Sequence, residues 1–98
     1  MRKYFVFMLI PMINPDGVAN GHYRMDIYNQ NLNRYYKTPD LKKQPAIFAI
    51  KELVTYLNSE SRLFFYCDLH SHAAKKGCFF FGNHLDFVMQ VLTQFFIC

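Results

Sequence analysis

The sequence has no tryptophan, and its cysteines are only three: Cys67, Cys78 and Cys98. An odd count at wide spacing gives no disulfide framework and fits reduced thiols in a cytosolic protein. No uncharged apolar run reaches the roughly 18 residues that a membrane span needs. Basic residues are not gathered into a stripe; the longest clusters are the pairs Arg2-Lys3, Lys42-Lys43 and Lys75-Lys76. The net charge of +4 therefore permits an acidic partner but does not argue for nucleic acid. Internal repeats and low-complexity segments are lacking as well.

What remains is an apolar chain of 98 residues with a hydrophobic fraction of 52%, rich in Phe and Tyr. That is enough for one small domain and not for two, and too hydrophobic for a disordered segment. Met1-Arg2-Lys3 followed by the apolar run Tyr4 to Ile10 has the outline of a short signal peptide. Against it, Pro11 and Asn14-Pro15-Asp16 follow without a small-x-small cleavage site. The preferred reading is a buried strand over Tyr4 to Met12, because the run is continuous and does not alternate.

Asn14-Pro15-Asp16-Gly17 ends that strand with turn residues. Val18 to Asp40 has no clean period, and its tyrosines argue for an ordered, functional loop. Pro45 to Asn58 reads as a helix: Pro45 suits the first turn, and Ile47, Ile50, Val54 and Leu57 make one stripe. Leu63 to Leu69 reads as a second apolar strand, Cys78 to Phe81 as a short third, and His84 to Cys98 as weakly amphipathic helix. Strand, helix, strand at these lengths is a βαβ unit with a right-handed crossover, which makes the fold class α/β. Parallel strands would bring their C-terminal ends to one sheet edge, where open α/β sheets bind ligands. The loop from Asp16 to Arg34 and the turn at His70 would then open into one crevice.

Several residues there could carry chemistry. His70 and His72 are two apart, and imidazole is a common metal ligand, though a lone histidine is more often structural. Asp68, two before His70, could orient that ring or cap local backbone. A zinc finger built from Cys67, His70, His72 and Cys78 matches none of the usual paired spacings. Arg24 and Arg34 offer planar forks of donors that match a carboxylate, and Asn33 adds an amide. Without more, two solvated loop arginines are the default reading.

Taken together in order, Asn14-Pro15-Asp16-Gly17, Gly21-His22-Tyr23-Arg24, Asn31-Leu32-Asn33-Arg34, Asp68-Leu69-His70-Ser71-His72-Ala73 and the run Lys75 to Asn83 resemble the zinc metallocarboxypeptidases of the cytosolic carboxypeptidase group. The resemblance covers residues 4–83, with 84–98 a divergent tail of one partial catalytic domain, 1–98. It implies a mixed-sheet carboxypeptidase fold, one zinc ion in the full-length parent, and a cytoplasmic enzyme working away from membranes. It implies that His70 is a zinc ligand, that Arg24 polarises the scissile carbonyl and stabilises the oxyanion, and that Asn33 and Arg34 clamp the terminal carboxylate. The Gly-His-Tyr-Arg and Lys-Gly-Cys-Phe pieces are most similar to the subtype that removes branch-point glutamate from polyglutamylated tubulin, so glutamylated protein tails are the implied substrate. The chain departs from the pattern in three places. No His is followed three residues later by Glu, no residue matches the general-base glutamate, and Ser71 replaces a glycine between the histidines. The expectation is an interior fragment that does not hydrolyse by itself. The alternative is a non-catalytic remnant that binds acidic C-terminal tails.

Overall fold

The computed structural model describes residues 2–82, together with the backbone of Phe96 and Ile97. The described elements are a short helix α1 (Pro15–Ala19), a 3-10 turn (Leu32–Arg34), a long helix α2 (Pro45–Ser59) and two strands, β1 (Phe80–Phe81) and β2 (Phe96–Ile97). The chain divides into two compact units, Met1–Leu53 and Val54–Cys98.

In the first unit, α1 forms where the sequence offers a cap and a first-turn proline. Asn14 is its N-cap, and its Oδ1 accepts a hydrogen bond from the Gly17 N–H at 3.1 Å. Pro15 at the first helical position loses no bond that a helix would have made, and Asp16 lies favourably in the first turn. The loop that follows is ordered by side chains. Asp26 is buried, and its Oδ1 accepts from the N–H groups of Tyr28 and Gln30 at 2.9 and 2.7 Å. The Asn29 N–H closes a turn onto the Asp26 carbonyl, with Asn29 at φ 58, a conformation asparagine tolerates. Asn31 then caps the 3-10 turn through its side chain to the Asn33 N–H.

Helix α2 runs as its pattern predicts. Ile47 and Ile50 are buried and are the only buried hydrophobic residues among those described. Val54 and Leu57, on the same stripe, are half-buried. In the second unit the helix stops on a left-handed residue, Ser61, at φ 52. The Arg62 N–H reaches back to the Leu57 carbonyl and the Ser61 N–H to that of Asn58. This is the Schellman pair of bonds, made here with a serine where glycine is usual.

The expected strands differ. Neither Tyr4 to Met12 nor Leu63 to Leu69 forms a strand among the described residues. Val6 and Leu9 are 82% and 83% exposed, and Phe64 is 75% exposed. The reason lies in what a strand requires. Extended backbone becomes a strand only through a hydrogen-bonded neighbour, and an apolar run facing two ways needs a layer on each face. The Cys78 to Phe81 strand shrinks to Phe80–Phe81, which pairs antiparallel with Phe96–Ile97 in the register Phe80 to Ile97. Helix is therefore not the state at 96–97, while the rest of the tail, 83–95 and 98, lies outside the described residues. The ladder described is antiparallel and two-stranded, so the parallel βαβ crossover is not formed among the described residues.

Candidate functional site

Three of the four expected site residues lie in the first unit. Arg24 sits in the loop after α1, exposed, with its backbone held from both sides. Asn14 Nδ2 donates to the Met25 carbonyl at 3.1 Å, and His22 Nδ1 lies 3.2 Å from the Asp26 carbonyl oxygen. The Arg24 guanidinium has no ion pair among the described residues. Asn33 and Arg34 are presented on the 3-10 turn, both exposed. Asn33 uses its backbone in the turn, its N–H donating to Asn31 Oδ1 and its carbonyl accepting from Arg34 Nη1 at 3.1 Å, and its side-chain amide takes part in neither bond. One guanidinium nitrogen of Arg34 is thus anchored near the backbone while the others stay available.

The polar residues that hold this loop are ones that the sequence pattern does not announce. Gln44 is 3% exposed. Its Oε1 accepts from the Asp40 N–H at 2.9 Å, and its Nε2 donates to Gln30 Oε1. Asp40 Oδ1 accepts from the N–H groups of Lys43 and Lys42 at 2.8 and 2.9 Å. Those two donors, Lys43 first, hold the Asp40 carboxyl below its ordinary pKa. Asp26, Gln30, Gln44 and Asp40 therefore join the loop after α1 to the start of α2. Their only advance signal is side-chain type, since Asp, Asn and Gln bond backbone wherever the chain turns.

His70 lies in the second unit, with its Nδ1 3.5 Å from Asp68 Oδ2. The two side chains lie beside each other at that separation. His72 turns its Nδ1 to local backbone instead, accepting from the Ala74 and Lys75 N–H groups at 3.1 and 3.0 Å. Its ring packs edge-on to Phe79, and Lys75 Nζ lies 4.9 and 4.6 Å from the ring centroids of Phe79 and Phe81. Cys67 and Cys78 carry free thiols. A carboxylate-backed imidazole suits one ligand position of a zinc site. A catalytic zinc takes three protein ligands, and no group of three such donors exists among the described residues.

Sequence comparison supplies the context. The chain is 42% identical over 85 residues to cytosolic carboxypeptidase 6 of Caenorhabditis elegans. It is 42% identical over 84 residues to cytosolic carboxypeptidase 2 of Mus musculus, and 40% identical over 83 residues to cytosolic carboxypeptidase 1 of Homo sapiens. This chain is a relative of the cytosolic carboxypeptidases. The matches take in 85%, 86% and 84% of its length. They take in only 18%, 10% and 7% of those relatives, so the chain spans a small part of the curated proteins it matches. Relatives numbered 1, 2, 4 and 6 match at nearly equal identity, so the similarity does not select a subtype. No family model matches the chain. Among the described residues no helix is long and apolar enough to cross a membrane.

Proposed function

We propose that this chain is part of a zinc-dependent metallocarboxypeptidase that removes glutamate from polyglutamylated protein tails, tubulin among them, in the cytoplasm. The parent would have the α/β mixed-sheet fold, with Tyr4 to Met12 and Leu63 to Leu69 as parallel strands once their neighbours are present. The observation that carries the reading is the 3-10 turn, which presents the Asn33 amide and the Arg34 fork together and exposed. A peptide's terminal carboxylate accepts two parallel N–H bonds from such a fork. Arg24 places a fixed positive charge where the carbonyl oxygen becomes an oxyanion, and a preorganised donor there lowers the barrier. His70 would give one ring nitrogen to the metal, with Asp68 lying beside its Nδ1 to orient the ring. Zinc, when bound in the parent, supplies the Lewis acidity that makes water a nucleophile near neutral pH.

The test is binding of a glutamate peptide with a free C-terminus against the same peptide amidated at its C-terminus. The free acid should bind more tightly, and Arg34→Ala should erase the difference. Equal binding of the two peptides by the unaltered chain would overturn the clamp. A second reading is a non-catalytic remnant that binds acidic C-terminal tails without cleaving them. Glutamate release separates the two: the zinc-supplemented chain alone should release none from a polyglutamate peptide. Steady release would overturn the fragment reading.

A further inference from the structure

A pocket of about 550 Å³ opens in the first unit, lined by Tyr28, Gln30, Tyr35, Lys42, Lys43 and Gln44. None of these residues belongs to the clamp or to the metal position. Tyr35 on the pocket wall is the residue after Arg34, so the chain passes directly from clamp to pocket. We propose that this pocket is a second binding site, for an acidic side chain of the same peptide tail whose terminal carboxylate Asn33 and Arg34 take. The inference deepens the proposed function and rests on it for the identity of the ligand.

Three features of the pocket support it. Lys42 and Lys43 bring two ammonium groups that are free to serve a ligand. The Asp40 carboxylate beside them is engaged by their backbone N–H groups rather than by their side chains. Its negative charge reduces the field at the pocket but leaves the pair net positive. Gln30 and Gln44 are pinned to each other, and the bond uses Gln30 Oε1 and Gln44 Nε2. Gln44 Oε1 is taken by the Asp40 N–H, so the amide nitrogen of Gln30 remains as the donor for an incoming carboxylate. Tyr28 is 66% exposed, and with Tyr35 it supplies phenol hydroxyls and flat apolar faces for the methylene stem of a glutamate. Ammonium groups, an amide donor and aromatic walls around a volume of this size suit a carboxylate on a short apolar stem. The pocket walls are also set firmly, because the Asp26, Gln30, Gln44 and Asp40 bonds tie them to the start of α2.

The experiment titrates the full chain with a fluorescent hexaglutamate peptide, as free acid and as C-terminal amide. Lys42→Ser with Lys43→Ser should weaken both peptides about five- to twentyfold, as expected for the loss of two screened charge contacts. The ratio between the free acid and the amide should stay unchanged, because the clamp is intact. Lys42→Arg with Lys43→Arg should restore most of the affinity. Lys75→Ser with Lys76→Ser removes the same charge from the other unit and should have little effect. A loss with that control equal to the loss at Lys42 and Lys43 would overturn the pocket in favour of general charge attraction. So would equal competition by an oligonucleotide of matching charge. Unchanged affinity in the Lys42 and Lys43 variant, with the acid-to-amide ratio intact, would overturn the pocket alone. Weakening in that variant without any acid-to-amide ratio would support the pocket and overturn the clamp.

Discussion

Asn14 Nδ2 donates a hydrogen bond to the Met25 carbonyl at 3.1 Å, across a sequence separation of 11. The same side chain caps α1 through Oδ1. One amide thus closes the loop that carries Arg24, with its acceptor and its donor spent on different ends. Asn14→Ala should cost about 2 kcal/mol, as the sum of one lost cap and one unsatisfied, partly buried carbonyl. Asn14→Asp separates the two parts: it keeps the cap oxygen and loses the donor to Met25. Amide hydrogen exchange reads the outcome. The Val18 and Asn20 N–H groups, bonded to Asn14 and Asp16 carbonyls, should exchange faster in the alanine variant and at an intermediate rate in the aspartate variant.

Gly17 is fixed by space rather than by an unusual φ. A Cβ on it would lie 2.6 Å from the Met25 carbonyl oxygen and inside contact distance of both polar atoms of the Asn14 side chain. Alanine is the better helix former by up to about 1 kcal/mol, while forcing a methyl into filled space costs about 1–3 kcal/mol. The second effect should win, because one of the obstructing atoms is backbone. Gly17→Ala should therefore destabilise the first unit and speed exchange at the His22 N–H, which bonds the Gly17 carbonyl at 2.8 Å. Equal or slower exchange would show that the Asn14 link yields without cost.

Asp40 gives the first unit a pH dependence with a definite sign. Its carboxyl pKa is lowered, chiefly by the Lys43 N–H and next by that of Lys42. A carboxylate whose folded pKa lies below its unfolded one adds stability above the ordinary aspartate value, about 3.9. That contribution is lost as pH falls through the lower folded value. A carbon-13 titration should place the Asp40 midpoint below that of aspartate in an unfolded peptide. The Lys42 and Lys43 amide signals should shift with the same midpoint, and Asp40→Asn should abolish those shifts. A midpoint at or above the unfolded value would mean that the two N–H bonds do not persist in solution.

Helix α2 is legible in the sequence because its signals are local. A proline sits at its start, and apolar residues recur at the spacing that puts Ile47 and Ile50 on one face. Asp68 is legible in the same way, since a two-residue spacing on extended chain brings it to His70. The chain from Asp26 through Gln30 and Gln44 to Asp40 is not, because side-chain bonds within a loop leave no period to read. Arg24, Asn33 and Arg34 stand out only through resemblance to other sequences; by residue type alone they are ordinary loop groups. The runs Tyr4 to Met12 and Leu63 to Leu69 are apolar but unpaired among the described residues, for a physical reason. Apolarity is recorded in each residue, while pairing depends on a neighbouring strand that the run itself does not specify.

That last difference has a consequence for the isolated chain. Tyr4, Val6 and Leu9 are 84%, 82% and 83% exposed, and Phe7, Met8 and Met12 are each more than half exposed. Apolar side chains left in water along an extended segment attract another such segment, and backbone pairing then fixes the contact. The chain should therefore associate as its concentration rises, in a manner that added salt does not suppress, because the attraction is not electrostatic. Light scattering and sedimentation at several concentrations measure this directly. Val6→Lys with Leu9→Lys should raise the soluble monomer fraction, since charge on a strand opposes pairing. It should leave the Asn14, Gly17 and Met25 contacts intact, as none of them involves either side chain. A monomeric unaltered chain that melts cooperatively would show that Tyr4 to Met12 finds cover within the molecule, and the expectation of missing sheet neighbours would fall with it.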